Sequence, residues 1–218
     1  MLMMRRSIII AMAIAAATAH QARGEAAGSA ARDARPVRLY MMRGLGDRLT
    51  SSGIDDFAAR IGELRPSTVI RVGNWYDWEE MAADALANPQ ARIVIVGYSM
   101  GSQSAARAAN RLAASGIDVK MIGMDPYCVG SEVDASPHIR AVNIYMNSCG
   151  GAAQGQIMGA DNIRLGDGTG GFSDHLAFPS NPLVQTMVYD EVFRDDFAAR
   201  RSGSTVARVR PKRHATLR

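Results

Sequence analysis

The chain has 218 residues, 47% of them apolar and 21% charged, the balance of a globular protein long enough for one sizeable core. Its formal net charge of +4 is carried by the ends. Residues 200–218 hold seven Lys/Arg and no acid, and Arg5 and Arg6 add two more, so the body between is mildly acidic. Nothing in it resembles a nucleic-acid-binding module, and a basic tail alone does not make one.

The first residues read MLMMRRSIIIAMAIAAATAHQARG. Two arginines, an apolar run over 8–17 and the small residues Ala17 and Ala19 form the pattern of a secretory signal peptide cut after about Ala19. The run is shorter than the ~20 residues that span a bilayer. The expectation is export to a periplasm or beyond the cell. Residues 20–35 read as a linker, 36–199 as the folded domain and 200–218 as a disordered basic tail. That tail suits weak contact with an anionic surface, and a solvated end without a role is the simpler account.

Within the domain, apolar runs alternate with amphipathic segments. Strands are expected at 37–42, 67–73, 92–98, 119–125 and 139–147. Helices are expected at 53–64, with Ser51 or Ser52 as cap, at 77–88, at 100–115 with Gly116 as stop, and at 181–199. A glycine-rich passage fills 149–171. Near-continuously apolar strands alternating with helices imply right-handed crossovers and a mostly parallel sheet. The fold class is therefore α/β: a three-layer α/β/α sandwich with five or six strands, in which function collects at the strands' carboxyl ends.

One such end carries Gly97-Tyr98-Ser99-Met100-Gly101. A strand that turns this sharply into a helix forces its middle residue into strained geometry and leaves room only for small flanking residues. Ser99 is then held above the sheet edge, with the Met100 N–H beside it. A serine hydroxyl needs a base. Of four histidines, His20 lies near the expected cleavage site, His214 lies in the tail, and His138 precedes a strand. His175, on a loop after the last strand, remains. Asp125 ends the next strand and is the expected partner of that base, with Asp161 and Asp167 in reserve and Asp174 less suited. A developing oxyanion needs donors: Met100 N–H, and a second from the loop RGLGD after the first strand, Leu45 N–H or else Gly44 N–H.

These motifs, with Asp125-Pro126, resemble the α/β-hydrolase superfamily, in particular its small lipase, esterase and thioesterase members. The resemblance spans about 37–199. It implies acyl transfer to water through a serine ester, with no cofactor and no metal. It assigns Ser99, Asp125 and His175 to the triad and Met100 and Leu45 to the oxyanion hole. It implies a small-molecule or lipid acyl substrate. Arg43 stands where many members have histidine, the acid comes one strand early, and the chain has room for fewer than the usual eight strands. Only thirteen residues separate Asp125 from Ile139, too few for a cap domain. Trp75, Tyr76 and Trp78 are candidates to line an acyl pocket or to pack in the core.

Cys128 and Cys149 follow the ends of neighbouring strands without CxxC spacing or a histidine cluster, which argues against a metal site. In an oxidising compartment they are expected to pair, closing a loop of about 20 residues for roughly 3 kcal/mol in the chain-entropy model; two free buried thiols are the alternative. Three rivals stand beside ester hydrolysis on such a scaffold: acyl transfer to an acceptor other than water, amide or peptide cleavage, and a binding protein that keeps the turn as architecture alone.

Overall fold

The computed structural model describes residues 35–126, 131–146, 155–166, 171–194 and Phe197. The expected leader, the tail and both cysteines lie outside these residues. The elements in chain order are β1 (Val37–Met42), α1 (Arg48–Leu64), β2 (Val69–Gly73), a 3₁₀ turn (Trp75–Asp77), α2 (Trp78–Leu86), β3 (Arg92–Tyr98) and α3 (Met100–Ala114). There follow β4 (Val119–Met124), β5 (Ser131–Glu132), β6 (Ile139–Tyr145), β7 (Ile157–Met158), β8 (Asp161–Arg164), α4 (Phe172–Ala177), a second 3₁₀ turn (Phe178–Ser180) and α5 (Pro182–Phe193).

Six strands form one parallel sheet in the order β2-β1-β3-β4-β6-β8. The fold is thus the expected α/β three-layer sandwich, at the upper strand number. Side chains along each strand point alternately to the two faces, so each strand feeds two cores. Tyr40, Met42, Ile93, Ile95 and Met121 pack with α2 and α3. Leu39, Met41, Val94, Val96 and Ile122 pack with α1 and α5 on the other face. Full burial of each such side chain is worth about 1.5–3 kcal/mol, and this double covering is why the central strands contain no polar alternation. α3 turns the small residues Ala105, Ala108 and Ala109 inward, so it lies close on the sheet.

The chain leaves β1 toward β2 on one side and returns to place β3 on the other. β1 and β3 therefore flank a topological switch point, where α/β sheets open a crevice at the carboxyl edge. Register aligns that edge: Met42 pairs with Gly73 and Gly97, Tyr98 with Met124, and Met124 with Ile144. The segments that follow these strands all emerge on one rim.

Several boundaries differ from expectation. α1 begins at Arg48, before the serines taken as its cap, and breaks helical geometry at Ser51 (φ −132°, ψ 22°). α5 ends at Phe193. The glycine-rich passage, for which no strand was expected, supplies β7 and β8, and β7 pairs with β5 in a second, two-stranded sheet. α5 is anchored by Lys120, a buried residue of β4. Its ammonium donates to the carbonyls of Glu191 (2.7 Å) and Arg194 (2.8 Å) and lies 3.5 Å from the Glu191 carboxylate. A cation here satisfies carbonyls that the helix end leaves without partners. Lys120→Met keeps the apolar stem and removes the charge, so the two carbonyls lose this buried donor and Glu191 is left with Arg194, at 2.6 Å, as its cation. The substitution is expected to cost about 3 kcal/mol in urea denaturation; a loss under about 1 kcal/mol would show that the anchor is dispensable.

Candidate active site

Ser99 begins at the end of β3, with φ 55° and ψ −124°, a conformation rare for a residue with a side chain. Three features hold it there. Its N–H donates to the Met124 carbonyl of β4 at 3.0 Å. The Ser102 hydroxyl donates to the Gly97 carbonyl (2.6 Å) and accepts from the Met124 N–H (3.3 Å), tying the first turn of α3 to both strands. The flanking glycines permit the crossing: a Cβ on Gly97 would lie 2.7 Å from the Ser102 Cα, and one on Gly101 2.7 Å from the Arg43 carbonyl oxygen. Backbone would meet nearly immovable backbone in both cases.

His175 lies in α4, a six-residue helix, and not on a loop as expected. Tyr98 moors it. The phenol donates to the His175 carbonyl at 2.6 Å, and the two rings stack with centroids 5.0 Å apart. Burial, and secondarily the negative charge of Asp125, hold the Tyr98 hydroxyl well above its ordinary pKa, so it remains a donor. Asp174, one of the weaker acid candidates, instead accepts from the Gly171 N–H at 3.1 Å and closes the first turn of α4.

The structure brings Ser99, His175 and Asp125 together. The Ser99 hydroxyl is 3.0 Å from His175 Nε2, and His175 Nδ1 is 2.7 Å from Asp125 Oδ2. All three are buried. A carboxylate at Nδ1 selects the tautomer with its proton there, which leaves the Nε2 lone pair facing the hydroxyl. Asp125, with φ 42° just past β4, is itself positioned: its N–H donates to the Ile144 carbonyl (2.8 Å), and its second oxygen accepts from the Met146 N–H (3.0 Å). Asp161 pairs with Arg140 at 2.7 Å at the start of β8, and His138 pairs with Asp118 at 3.0 Å before β6; neither joins the cluster. Asp167 lies outside the described residues.

The loop after β1 closes over the serine. A Cβ on Gly44 would lie 2.7 Å from the Ser99 Cβ, so this backbone passes directly beside the hydroxyl. The Gly44 N–H is occupied by the Ser51 hydroxyl at 3.2 Å. Of the two loop donors considered from sequence, only the Leu45 N–H has no hydrogen-bond acceptor among the described residues. Met100 N–H opens α3, where first-turn N–H groups lack intrahelical acceptors. From sequence, Arg43 stands in place of the usual histidine, without a partner assigned to it. Its guanidinium is buried, donates to both Asp55 oxygens, and reaches Asn74 Oδ1 at 3.0 Å. The hydrogen bonds from Arg43, and secondarily its charge, hold the Asp55 carboxyl below its ordinary value of 3.8.

Trp75 and Tyr76 meet edge to face, and Trp78 packs at the edge of one core. Two exposed apolar side chains belong to the same neighbourhood: Leu45 follows Gly44 in the chain, and Phe172 stacks 6.3 Å from His175. No protein-family model and no curated protein matches the chain. Among solved structures, an iodinated complex of acetyl xylan esterase at 1.80 Å matches with 13% identity over 72% of this chain and 99% of that one, at a TM-score of 0.40. Acetylxylan esterase at 0.90 Å matches with 11% identity over 73% and 100%, also at 0.40. The case for a function rests on the site itself.

The depressed Asp55 carboxyl has a signed consequence. The stability it confers is complete above the ordinary carboxylate range and declines as pH falls through its lower folded value. Urea midpoints measured from pH 6 down to pH 2 are expected to drop less steeply below pH 4 in Asp55→Asn than in the wild type. Parallel curves would mean that the pair contributes nothing in acid.

Proposed function

We propose that this protein is a serine hydrolase that cleaves carboxylic ester or thioester bonds through an acyl-enzyme. The observation that carries the reading is the unbroken hydrogen-bonded line from the Ser99 hydroxyl through His175 to Asp125. In this proposal Ser99 Oγ attacks the acyl carbon while His175 Nε2 takes its proton. The Asp125 carboxylate steadies the imidazolium, and the oxyanion accepts hydrogen bonds from Met100 N–H and Leu45 N–H. Collapse breaks the bond to the leaving oxygen or sulfur, which receives the proton from His175. Water then enters by the same route: it gives a proton to His175, adds to the acyl carbon, and releases the acid while Ser99 regains its proton.

An apolar acyl group, in a small molecule or a lipid, suits the exposed Leu45, next to Gly44 in the chain, and the exposed Phe172, stacked on His175. The N-terminal pattern of charge, apolar run and small residues supports export, so the proposed site of action is a periplasm or the outside of the cell. Intact-mass analysis of the exported protein, with cleavage after about Ala19, tests that placement.

A fluorophosphonate probe tests the chemistry. The wild type is expected to label at Ser99 and to hydrolyse p-nitrophenyl acetate. Ser99→Ala is expected to lose labelling, and His175→Ala and Asp125→Asn to lower kcat by roughly 10⁴. Folded wild-type protein that takes no label would overturn the hydrolase reading in favour of a binding role. Turnover of acyl-CoAs only with an added acceptor, or of amides in preference to esters, would move it to another serine chemistry.

A further inference from the structure

We propose that Arg43, Thr50, Ser51 and Asp55 are positioning residues that orient the peptide between Gly44 and Leu45, so that its N–H serves as the second oxyanion donor. The inference deepens the hydrolase reading and rests on it. Three successive peptides lie in the loop beside Ser99. The one joining Arg43 to Gly44 is held by its N–H, which donates to the Ser51 hydroxyl at 3.2 Å. The one joining Leu45 to Gly46 is held by its carbonyl, which accepts from the Thr50 hydroxyl. Both pins belong to consecutive residues at the start of α1. The peptide between them, which owns the Leu45 N–H, makes no hydrogen bond through that group among the described residues.

The break in α1 is what places the first pin. Ser51 leaves helical geometry there and is fully buried, whereas an ordinary helical serine bonds its own helix or faces solvent. Arg43 fixes the start of the loop from two sides. Its N–H donates to the Gly73 carbonyl at 2.9 Å, extending the β1–β2 ladder by one residue. Its guanidinium forks onto Asp55, four residues past Ser51 on the same helix. The far end is bracketed through Asn74, whose amide donates to the Tyr76 hydroxyl at 2.7 Å. That hydroxyl lies 3.5 Å from Asp47, which closes the loop at φ 53°. The loop is therefore held before substrate arrives, which is what an oxyanion donor requires, since reorganisation during the reaction would cancel its benefit.

The test uses the full protein with three probes: fluorophosphonate labelling rate, p-nitrophenyl acetate kinetics, and competition by phenylboronic acid, whose tetrahedral adduct on Ser99 places an oxygen where the oxyanion forms. Ser51→Ala, Thr50→Val and Asp55→Asn are each expected to lower kcat roughly 10- to 100-fold, less than the 10²–10³ seen on removing a donor outright. KM should stay within about threefold, and boronate affinity should fall by a factor similar to kcat. Asp55→Glu should restore part of the loss. Thermal melts establish the folded fraction, and Thr50→Val, at a partly exposed position, guards against a folding defect in the others. Variants that keep kcat and boronate affinity within twofold per folded molecule, or that change KM alone, would overturn the positioning role while leaving the hydrolase reading intact. A wild type that neither labels nor binds boronate would instead remove the reading beneath it.

Discussion

The backbone of Ser99 is the constraint on which the rest of the site depends. A residue with a Cβ at φ 55° and ψ −124° sits in a region that costs on the order of 1–3 kcal/mol and persists only where its surroundings leave no alternative. Those surroundings are the middle of the sheet. β3 is paired on both sides, Ser99 continues the ladder to β4, and Ser102 bonds both strands at once. Without Gly97 and Gly101, α3 could not start so close to its own strand or pass under the end of β1. The turn is a product of crowding, and the crowding also brings Gly44 against the serine.

Parallel register then distributes the remaining parts. Because the ends of β1, β2, β3, β4 and β6 lie level, one rim receives the loop at Arg43, the turn at Asn74, Ser99, Asp125 and Met146. Asp125 is buried, and both of its oxygens accept hydrogen bonds, from the His175 ring and from the Met146 N–H. The acid and its backbone donor come from adjacent strands, so the sheet's own ladder sets their spacing.

Much of this was legible in the sequence where burial on two faces leaves an unmistakable apolar run. β1 and β3 fall on their expected residues, and the serine, aspartate and histidine meet at the rim the strand pattern indicated. What escaped reading has physical causes. β8 reads Asp-Asn-Ile-Arg and is exposed throughout, so it carries no hydrophobic signal and exists through pairing with β6. β5 and β7 are two residues each, below any periodicity. α4 is too short to be stable alone and owes its form to the Gly171–Asp174 closure and the bond from Tyr98. The start of α1 was misplaced because Ser51 looks like a cap, whereas its hydroxyl faces a different loop. In each case a long-range contact overrode the local pattern.

The mooring of α4 by Tyr98 reaches further than its single hydrogen bond suggests. Tyr98 directly precedes Ser99, so His175 and Ser99 are fastened to neighbouring positions of one strand although the chain separates them widely. Their mutual distance is thereby insulated from the long excursion between Pro126 and Gly171. Changes of length in that excursion that spare β6, which supports Asp125 through Ile144 and Met146, therefore leave the spacing of Ser99 and His175 to Tyr98.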